Sequence, residues 1–334
     1  LDTTLSTEGV WVIVPHLKPN TPSEEIPAQQ QKLLQDLFNY FTINRYIFWY
    51  YTPMALSIGQ PFSPELVIYD CMDELSAFRH APAELKQREA ELFARANLVF
   101  TGGHSLYEAK KGKHPDLHAF PSSIEKKHFS KARSFFIDPA DQFSIPHPRI
   151  GFFGVIDERM DIGLLDKVAL LRPDWHLVIL GPVVKIDPAT LPAHDNIHYL
   201  GGKTYEELPA YLAGWDVAMM PFAMNESTRY ISPTKTPEYL AGGKPVVSTP
   251  IRDVISPYGN NNLVAIAGTP EEFVQAIEKA LNMEDRAAWL KAVDAFLENN
   301  SWDSTVEKMM FLINTKLDTK QSNHLLTEKE NMYV

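Results

Sequence analysis

The stretch SPTKTPEYLAGGKPVVST, residues 232–249, carries the strongest signal for the fold of this chain. Its prolines and threonines favour the first turn of a helix, because proline has no N–H to lose there. We predict that a helix begins between Thr234 and Thr236, since either hydroxyl can accept from a free N–H group at a helix start. A buried strand should follow over 245–248. A short helix that leads into a buried strand is typical of parallel α/β sheets.

A lysine and a glutamate lie at the start of this helix. The free N–H groups and the charge of Lys235 would attract a diphosphate. Glu238 can accept hydrogen bonds from both hydroxyls of a ribose. The simpler alternative is that Glu238 only complements the helix dipole. The spacing of the two charges favours a site for a nucleotide linked to a sugar.

The stretch resembles the motif S-P-x-K-x-x-E-x-L-A-x-G-x-P-V-V of the group 1 glycosyltransferases, matched from Ser232 to Val247. The segments GFFGVIDER (151–159), YDCMDEL (69–75) and WDVAMMPF (215–222) extend the likeness over most of the chain. The resemblance implies α/β architecture of the GT-B class, in which two Rossmann-like parallel-sheet domains face a cleft. It also implies a retaining, metal-independent reaction that needs no cofactor besides a UDP- or GDP-linked sugar as co-substrate.

The resemblance assigns roles to individual residues. In the family, the cation after the glycine turn and the motif lysine contact the donor diphosphate, and the motif glutamate binds the ribose. These roles fall on Arg159, Lys235 and Glu238. We expect Lys235, Arg159 and Asp73 to be the catalytic residues. For Arg159 the alternative is local pairing with Asp157 or Asp161.

The remaining donor contacts are expected at strand ends and in the motif loops. The predicted donor-binding residues are Gly154, Arg159, Gly181, Gly202, Tyr205, Asn225, Thr228, Pro233, Thr234, Lys235 and Glu238. The glycines are equally compatible with simple turns, and Tyr205 with the apolar face of a helix. Tyr230 stands where many relatives have a second glutamate that contacts the donor sugar. Sugar recognition therefore has to come from other residues.

Two acids follow a predicted strand over 66–69. Asp70 and Asp73 should face the cleft, where they can orient an acceptor hydroxyl or stabilise positive charge at the anomeric carbon. The alternative is that one of them caps the following helix. Cys71, the single cysteine, lies between them and is expected to be a buried thiol.

Apolar runs alternate with amphipathic stretches along the chain, which predicts parallel sheets. We expect an acceptor-side domain over 1–130, a linker over 131–148, the donor domain over 149–300, a helix over 301–316 that crosses back to the first domain, and a polar tail over 317–334. The run Val10–Val14 is expected to be a buried strand. About five strands in the first domain, where the family has six or seven, predict that it lacks its first elements.

Composition excludes several classes of function. A net charge of −11 argues against a nucleic-acid-binding surface, and no apolar run is long enough to cross a bilayer. We expect a cytoplasmic protein without a signal peptide, with at most a weak peripheral association with the inner membrane face. The basic segment 110–113 is expected to be a solvated helix end rather than a membrane patch.

The resemblance implies transfer to a glycan or lipid-linked acceptor during synthesis of a surface polysaccharide. Two alternatives stay open at this point. One is a nucleotide-sugar epimerase on the same fold, which would need acids or histidines around the sugar as proton-transfer groups. The other is a non-catalytic subunit that binds a nucleotide-sugar or docks a partner enzyme.

Overall fold

The structure is a computed structural model, and it describes residues 1–134 and 137–332. The first part of the chain contains an antiparallel hairpin and a four-stranded parallel sheet with strand order β3-β4-β5-β6. Its elements are β1 (Asp2–Leu5), β2 (Trp11–Val14), α1 (Ile26–Tyr40), β3 (Ile47–Tyr50), β4 (Leu66–Cys71), α2 (Leu85–Arg95), β5 (Leu98–Thr101), α3 (His104–Lys110), β6 (Leu117–Ala119) and α4 (Lys126–Ser130).

The run Val10–Val14 contains a strand, but the prediction that it is buried is wrong. β2 pairs only with β1, outside the parallel sheet, and Trp11 is 53% exposed. Gly9, with φ of +80°, lies in the turn between the two strands. A continuous apolar run indicates burial only where both faces of its sheet are covered, and a two-stranded hairpin does not supply that cover.

The second part of the chain contains a six-stranded parallel sheet with strand order β12-β11-β10-β7-β8-β9. Its elements are β7 (Arg149–Phe153), α5 (Ile162–Leu171), β8 (His176–Leu180), β9 (Ile197–Tyr199), α6 (Leu208–Ala213), β10 (Val217–Met220), α7 (Lys235–Ala241), β11 (Val246–Ser248), α8 (Arg252–Val254), β12 (Val264–Ile266), α9 (Pro270–Leu281) and α10 (Arg286–Phe296). The strand order reverses between β7 and β10. Open α/β sheets bind their ligands outside the carboxyl ends of the strands at such a switch point.

Apolar clusters cover both faces of this sheet. One is centred on Trp215 and Tyr239, and the other on Phe152 and Trp175. A Cβ atom at Gly151 would lie 1.8 Å from the Trp215 ring, so only glycine lets the indole pack directly on β7. This packing holds β7 and β10 in place at the switch point.

The last helix, α11 (Trp302–Met332), is longer than predicted. Ile313 on this helix is buried in a cluster with residues of the first sheet, among them Leu66 and Phe100. The helix continues beyond residue 316 because neither glycine nor proline interrupts the stretch that was expected to be a polar tail. Residues 333–334 of the expected tail lie outside the described residues.

The prediction of a solvated helix end at 110–113 is wrong for its first residue. Lys110 is 2% exposed, and its ammonium group lies 2.7 Å from Glu74 and 2.8 Å from Glu89. Two carboxylates compensate the buried charge, so Lys110 contributes nothing to a basic surface. Over the described part of the chain, no helix combines the length and apolarity needed to cross a membrane.

Candidate active site

A cavity of about 540 Å³ lies between the carboxyl ends of the two parallel sheets. Residues that end or follow strands form most of its two walls, and the first turns of α11 close one side. The lining residues are Trp49, Tyr51, Asp70, Met72, Asp73, Gly102, Phe120, Ser122, Val155, Arg159, Phe222, Ile231, Ser232, Pro233, Thr234, Lys235, Trp302, Thr305, Val306 and Met309. Four predicted donor-binding residues, Arg159, Pro233, Thr234 and Lys235, are among them.

The glycine turn after β7 lies directly against Lys235. Gly154 has φ of +143°, and a Cβ atom there would lie 2.3 Å from Cε and 2.8 Å from Nζ of Lys235. Gly181, with φ of +140°, is equally restricted, because its Cβ would lie 1.8 Å from the carbonyl oxygen of Gly154. Both positions therefore require glycine for backbone conformation and for contact. The structure brings Gly154, Gly181 and Lys235 together at the switch point.

Lys235 is half-buried and begins α7. Its Nζ lies 5.7 Å from the centre of the Phe152 ring, and no carboxylate of the described residues lies within 4 Å of it. Burial lowers its pKa, and the charge of Glu238 opposes this shift. The ammonium group is thus a cation at the cavity wall that lacks a protein anion in contact.

The helix starts where the sequence predicts, but the predicted cap is wrong. Thr234 makes no side-chain capping bond. Thr236 is fully buried, and its hydroxyl lies 3.4 Å from the sulfur of Met220. The Thr236 hydroxyl is therefore part of the packed core. Neither threonine side chain accepts a hydrogen bond from the first N–H groups of α7.

Glu238 lies in the first turn of α7, and burial raises its pKa to about 7, although Lys235 opposes the shift. Its charge also acts on Tyr205, whose pKa is raised to about 12 by burial first and then by Glu125 and Glu238. The Tyr205 ring stacks on His128, with ring centres 4.1 Å apart and planes 8° from parallel. Glu238 and Tyr205 are therefore neighbours, although neither lines the cavity itself.

Arg159 lines the cavity but already has a partner. Its guanidinium donates to the buried Asp157 at 2.7 Å, whereas Asp161 accepts from the N–H of Leu164 at the start of α5. The local-pairing alternative is thus realised with Asp157. Asp73 also responds to Arg159, because burial raises the pKa of Asp73 and Arg159 lowers it. Arg159 is electrostatically coupled to both walls of the cavity.

The other predicted donor residues lie away from the cavity lining. The amide of Asn225 donates to the carbonyl of Glu158 at 3.1 Å, and Thr228 is 2% exposed with its hydroxyl bonded inside the loop that follows β10. These two residues organise that loop. Gly202 lies in an exposed loop, and a Cβ atom there would meet no atom within 4 Å.

The first sheet contributes two acids. β4 continues to Cys71, so Asp70 lies inside the strand and not after it as predicted. Asp70 is 8% exposed, Trp49 Nε1 donates to its Oδ2 at 3.0 Å, and burial raises its pKa to about 6. Asp73 follows the strand. Cys71 is a buried thiol as expected, with its pKa raised to about 12 by burial.

The sequence did not single out the aromatic side chains that line the cavity, which are Trp49, Tyr51, Phe120, Phe222 and Trp302. Trp49 and Tyr51 lie near the carboxyl end of the apolar run 46–51, which was a usable signal because ligands bind at the carboxyl ends of parallel strands. Trp302 joins them only because α11 lies on the first sheet. Within 1–134 and 137–332, no three His, Cys, Asp or Glu side chains are grouped as a metal site.

Residues 147–283, which span the second sheet, match the sequence family described as "Glycosyl transferases group 1". A Bacillus subtilis protein assigned to teichuronic acid biosynthesis as a glycosyltransferase, TuaH, is 24% identical over 285 residues, covering 78% of this chain and 70% of TuaH.

Two solved structures share the fold at 15% identity. Sucrose-phosphate synthase from Thermosynechococcus elongatus has a TM-score of 0.71, covering 96% of this chain and 86% of its own. HepE from Anabaena, in complex with UDP, has a TM-score of 0.68, covering 89% and 85%. The fold and site define a glycosyltransferase with the GT-B fold. The family match over residues 147–283 and the similarity to TuaH support a glycosyltransferase of group 1.

Proposed function

We propose that the protein transfers a sugar, with retention and without a metal ion, from a nucleotide-sugar to a glycan or lipid-linked acceptor in the synthesis of a surface polysaccharide. The observation that carries this proposal is the contact between Lys235 and the glycine turn at Gly154, with Glu238 one helical turn further on. The assignment of TuaH to teichuronic acid biosynthesis supports the polysaccharide role, and the complexes of HepE with UDP and UDP-glucose support a nucleotide-sugar donor.

In this proposal the donor diphosphate lies against Lys235 and the first N–H groups of α7, and Glu238 accepts from the ribose hydroxyls. Negative charge grows on the leaving diphosphate as the bond to the anomeric carbon breaks. A cation already in place stabilises that charge more than it stabilises the bound donor, so it lowers the barrier. Lys235 suits this role because no described carboxylate neutralises it by contact.

The first sheet supplies the opposite wall, where the acceptor approaches. In this proposal Asp73 stabilises positive charge that develops at the anomeric carbon, and the electrostatic coupling of Asp73 to Arg159 supports a joint role for the two residues. Closure of the cleft would exclude water, which otherwise hydrolyses the donor. We propose that the reaction takes place in the cytoplasm, where nucleotide-sugars would be available, with weak peripheral attachment to the inner membrane face.

The test is a panel of UDP- and GDP-linked sugars, each measured with and without EDTA. A ligand at about 100 times its dissociation constant raises the free energy of unfolding by about 2.7 kcal/mol, so thermal shift identifies the donor. Nucleotide release with a glycan mixture, and the anomeric configuration of the product by NMR, then test transfer and retention. Loss of nucleotide binding on chelation would contradict metal independence, and a donor that changes configuration without an acceptor would indicate an epimerase.

A further inference from the structure

The part of the cavity lining that comes from the first sheet and from α11 is rich in aromatic side chains. Trp49 and Tyr51 come from β3 and the residue after it, Phe120 follows β6, and Trp302 begins α11. The Trp49 ring packs on Phe100, with ring centres 5.5 Å apart. Phe100 also packs on Phe120, with ring centres 5.0 Å apart. These contacts hold two of the four rings in place, so the wall is preformed.

Asp70 places a carboxylate among these rings. Trp49 holds its Oδ2, while no described residue donates a hydrogen bond to Oδ1. Asp70 lines the cavity, and Oδ1 is the carboxylate oxygen left to accept from a ligand there. The Asp70 side chain is 8% exposed, and the indole N–H of Trp49 orients it. A buried carboxylate oxygen of this kind is suited to accept a hydrogen bond from a ligand hydroxyl that replaces water.

We propose that Asp70 and the rings of Trp49, Tyr51, Phe120 and Trp302 bind a sugar ring of the acceptor. This inference rests on the proposed function. The C–H faces of a sugar pack on aromatic rings, and its hydroxyls donate to a carboxylate, so one ligand satisfies both features. A lipid chain would pack on the rings but would leave Oδ1 of Asp70 buried without a hydrogen-bond donor, which is costly.

The charge distribution separates this site from the donor site. A carboxylate at Asp70 repels a diphosphate, whereas Lys235 and Arg159 on the other wall attract one. The acceptor sugar therefore lies on the Asp70 side, and the donor phosphates lie on the Lys235 side. Trp302 belongs to α11, so the last helix contributes directly to acceptor recognition.

The test uses Trp302→Ala and Asp70→Asn, with the exposed hairpin residue Trp11 as a matched control in Trp11→Ala. Trp302 is 48% exposed and Trp11 is 53% exposed, so the two tryptophan truncations should disturb the fold to a similar, small extent. Methyl glycosides of glucose, galactose and N-acetylglucosamine serve as acceptors, and dodecanol serves as a lipid probe without a sugar. The readouts are the KM for the acceptor, the dissociation constant of the nucleotide-sugar by calorimetry, and saturation-transfer NMR of each glycoside.

We expect Trp302→Ala and Asp70→Asn to raise the acceptor KM by about tenfold while the nucleotide-sugar dissociation constant stays within about twofold of the parent value. Trp11→Ala should change neither. An unchanged acceptor KM in both site variants, an equal loss of nucleotide-sugar affinity, or binding of dodecanol in place of every glycoside would overturn the inference. A parent protein that binds no nucleotide-sugar would instead refute the proposed function, and with it this site.

Discussion

The two walls of the cleft use different chemistry and draw on the chain in different ways. The wall of the second sheet is built from a glycine turn and one short helix, where Gly154 and Gly181 admit Lys235 and leave its charge without a contacting carboxylate. The wall of the first sheet is built from aromatic rings and two acids that come from several strands and from α11. A diphosphate is the same in every donor, so a short continuous motif can recognise it. Acceptors differ in shape from one enzyme to another, and the residues on the first-sheet wall come from segments that are distant in sequence.

Lys235→Ala should give the largest effect, because it removes the main cation of the second wall. We expect turnover at saturating donor to fall by about 100-fold, the range for loss of one preorganised group that stabilises transition-state charge. Donor affinity should fall less than turnover. Lys279→Ala on the exposed face of α9 is the matched control. A turnover within about twofold of the parent, less than 1 kcal/mol of barrier, would refute the leaving-group role.

Glu238→Gln tests ribose binding on the same wall. The variant keeps the shape but loses the charged acceptor, so ribonucleotide binding should weaken by about 1.5 to 3 kcal/mol. The loss should be smaller for a 2′-deoxyribose donor, because one of the two hydroxyls is absent. Calorimetry with both donors measures it. Glu271→Gln, an exposed glutamate in the first turn of α9, is the control, and equal losses for the two donors would rule out the ribose contact.

The raised pKa of Glu238 predicts a pH dependence of donor binding. Its pKa is about 7 in the free protein, and only the ionised form accepts from both hydroxyls, so affinity should fall by about tenfold from about pH 8 to about pH 6. Lys235 is the nearby cation, and Tyr205 and Tyr239 stay neutral in this range because burial raises the pKa of each. The intact nucleotide-sugar is the ligand to use, since its diphosphate diester does not titrate here.

The same shift affects the stability of the free protein with a definite sign. Between pH 4.5 and about pH 7 the folded state binds the Glu238 proton more tightly than the unfolded state does, so the free energy of unfolding falls as pH rises through this window. Glu238→Gln should flatten the pH profile of donor affinity and the pH profile of the free energy of unfolding. A profile of donor affinity that is the same in parent and variant would assign the pH dependence to another group.

Arg159→Ala should give the smallest effect of the set. Asp157 already neutralises part of the guanidinium charge by a contact of 2.7 Å, so the donor gains less from Arg159 than from Lys235. We expect turnover to fall by less than about tenfold, with donor affinity changed little. Steady-state kinetics of the two variants side by side measures the ratio, and a larger loss for Arg159→Ala than for Lys235→Ala would reverse the assignment.

Much of the fold could be predicted because its signals are local. The strand predicted over 245–248 is β11 (Val246–Ser248), since buried parallel strands are continuous apolar runs between glycine and proline signals. The run Val10–Val14 was wrongly predicted to be buried, because an apolar run does not show which strand it will pair with. Helix α11 was cut short because a polar stretch without glycine or proline does not say where a helix ends.

The residues alone were enough to predict the α/β class, the family motif, and the presence of Lys235 and Glu238 in the first turn of one helix, because these depend on spacing along the chain. The three-dimensional packing was needed to show that Lys235 lies against Gly154, that Arg159 donates to Asp157, and that Trp49, Asp70 and Trp302 line the same cavity. These residues are separated by many positions in sequence. Their contacts follow from strand order and from the packing of α11 on the first sheet, which local patterns do not encode.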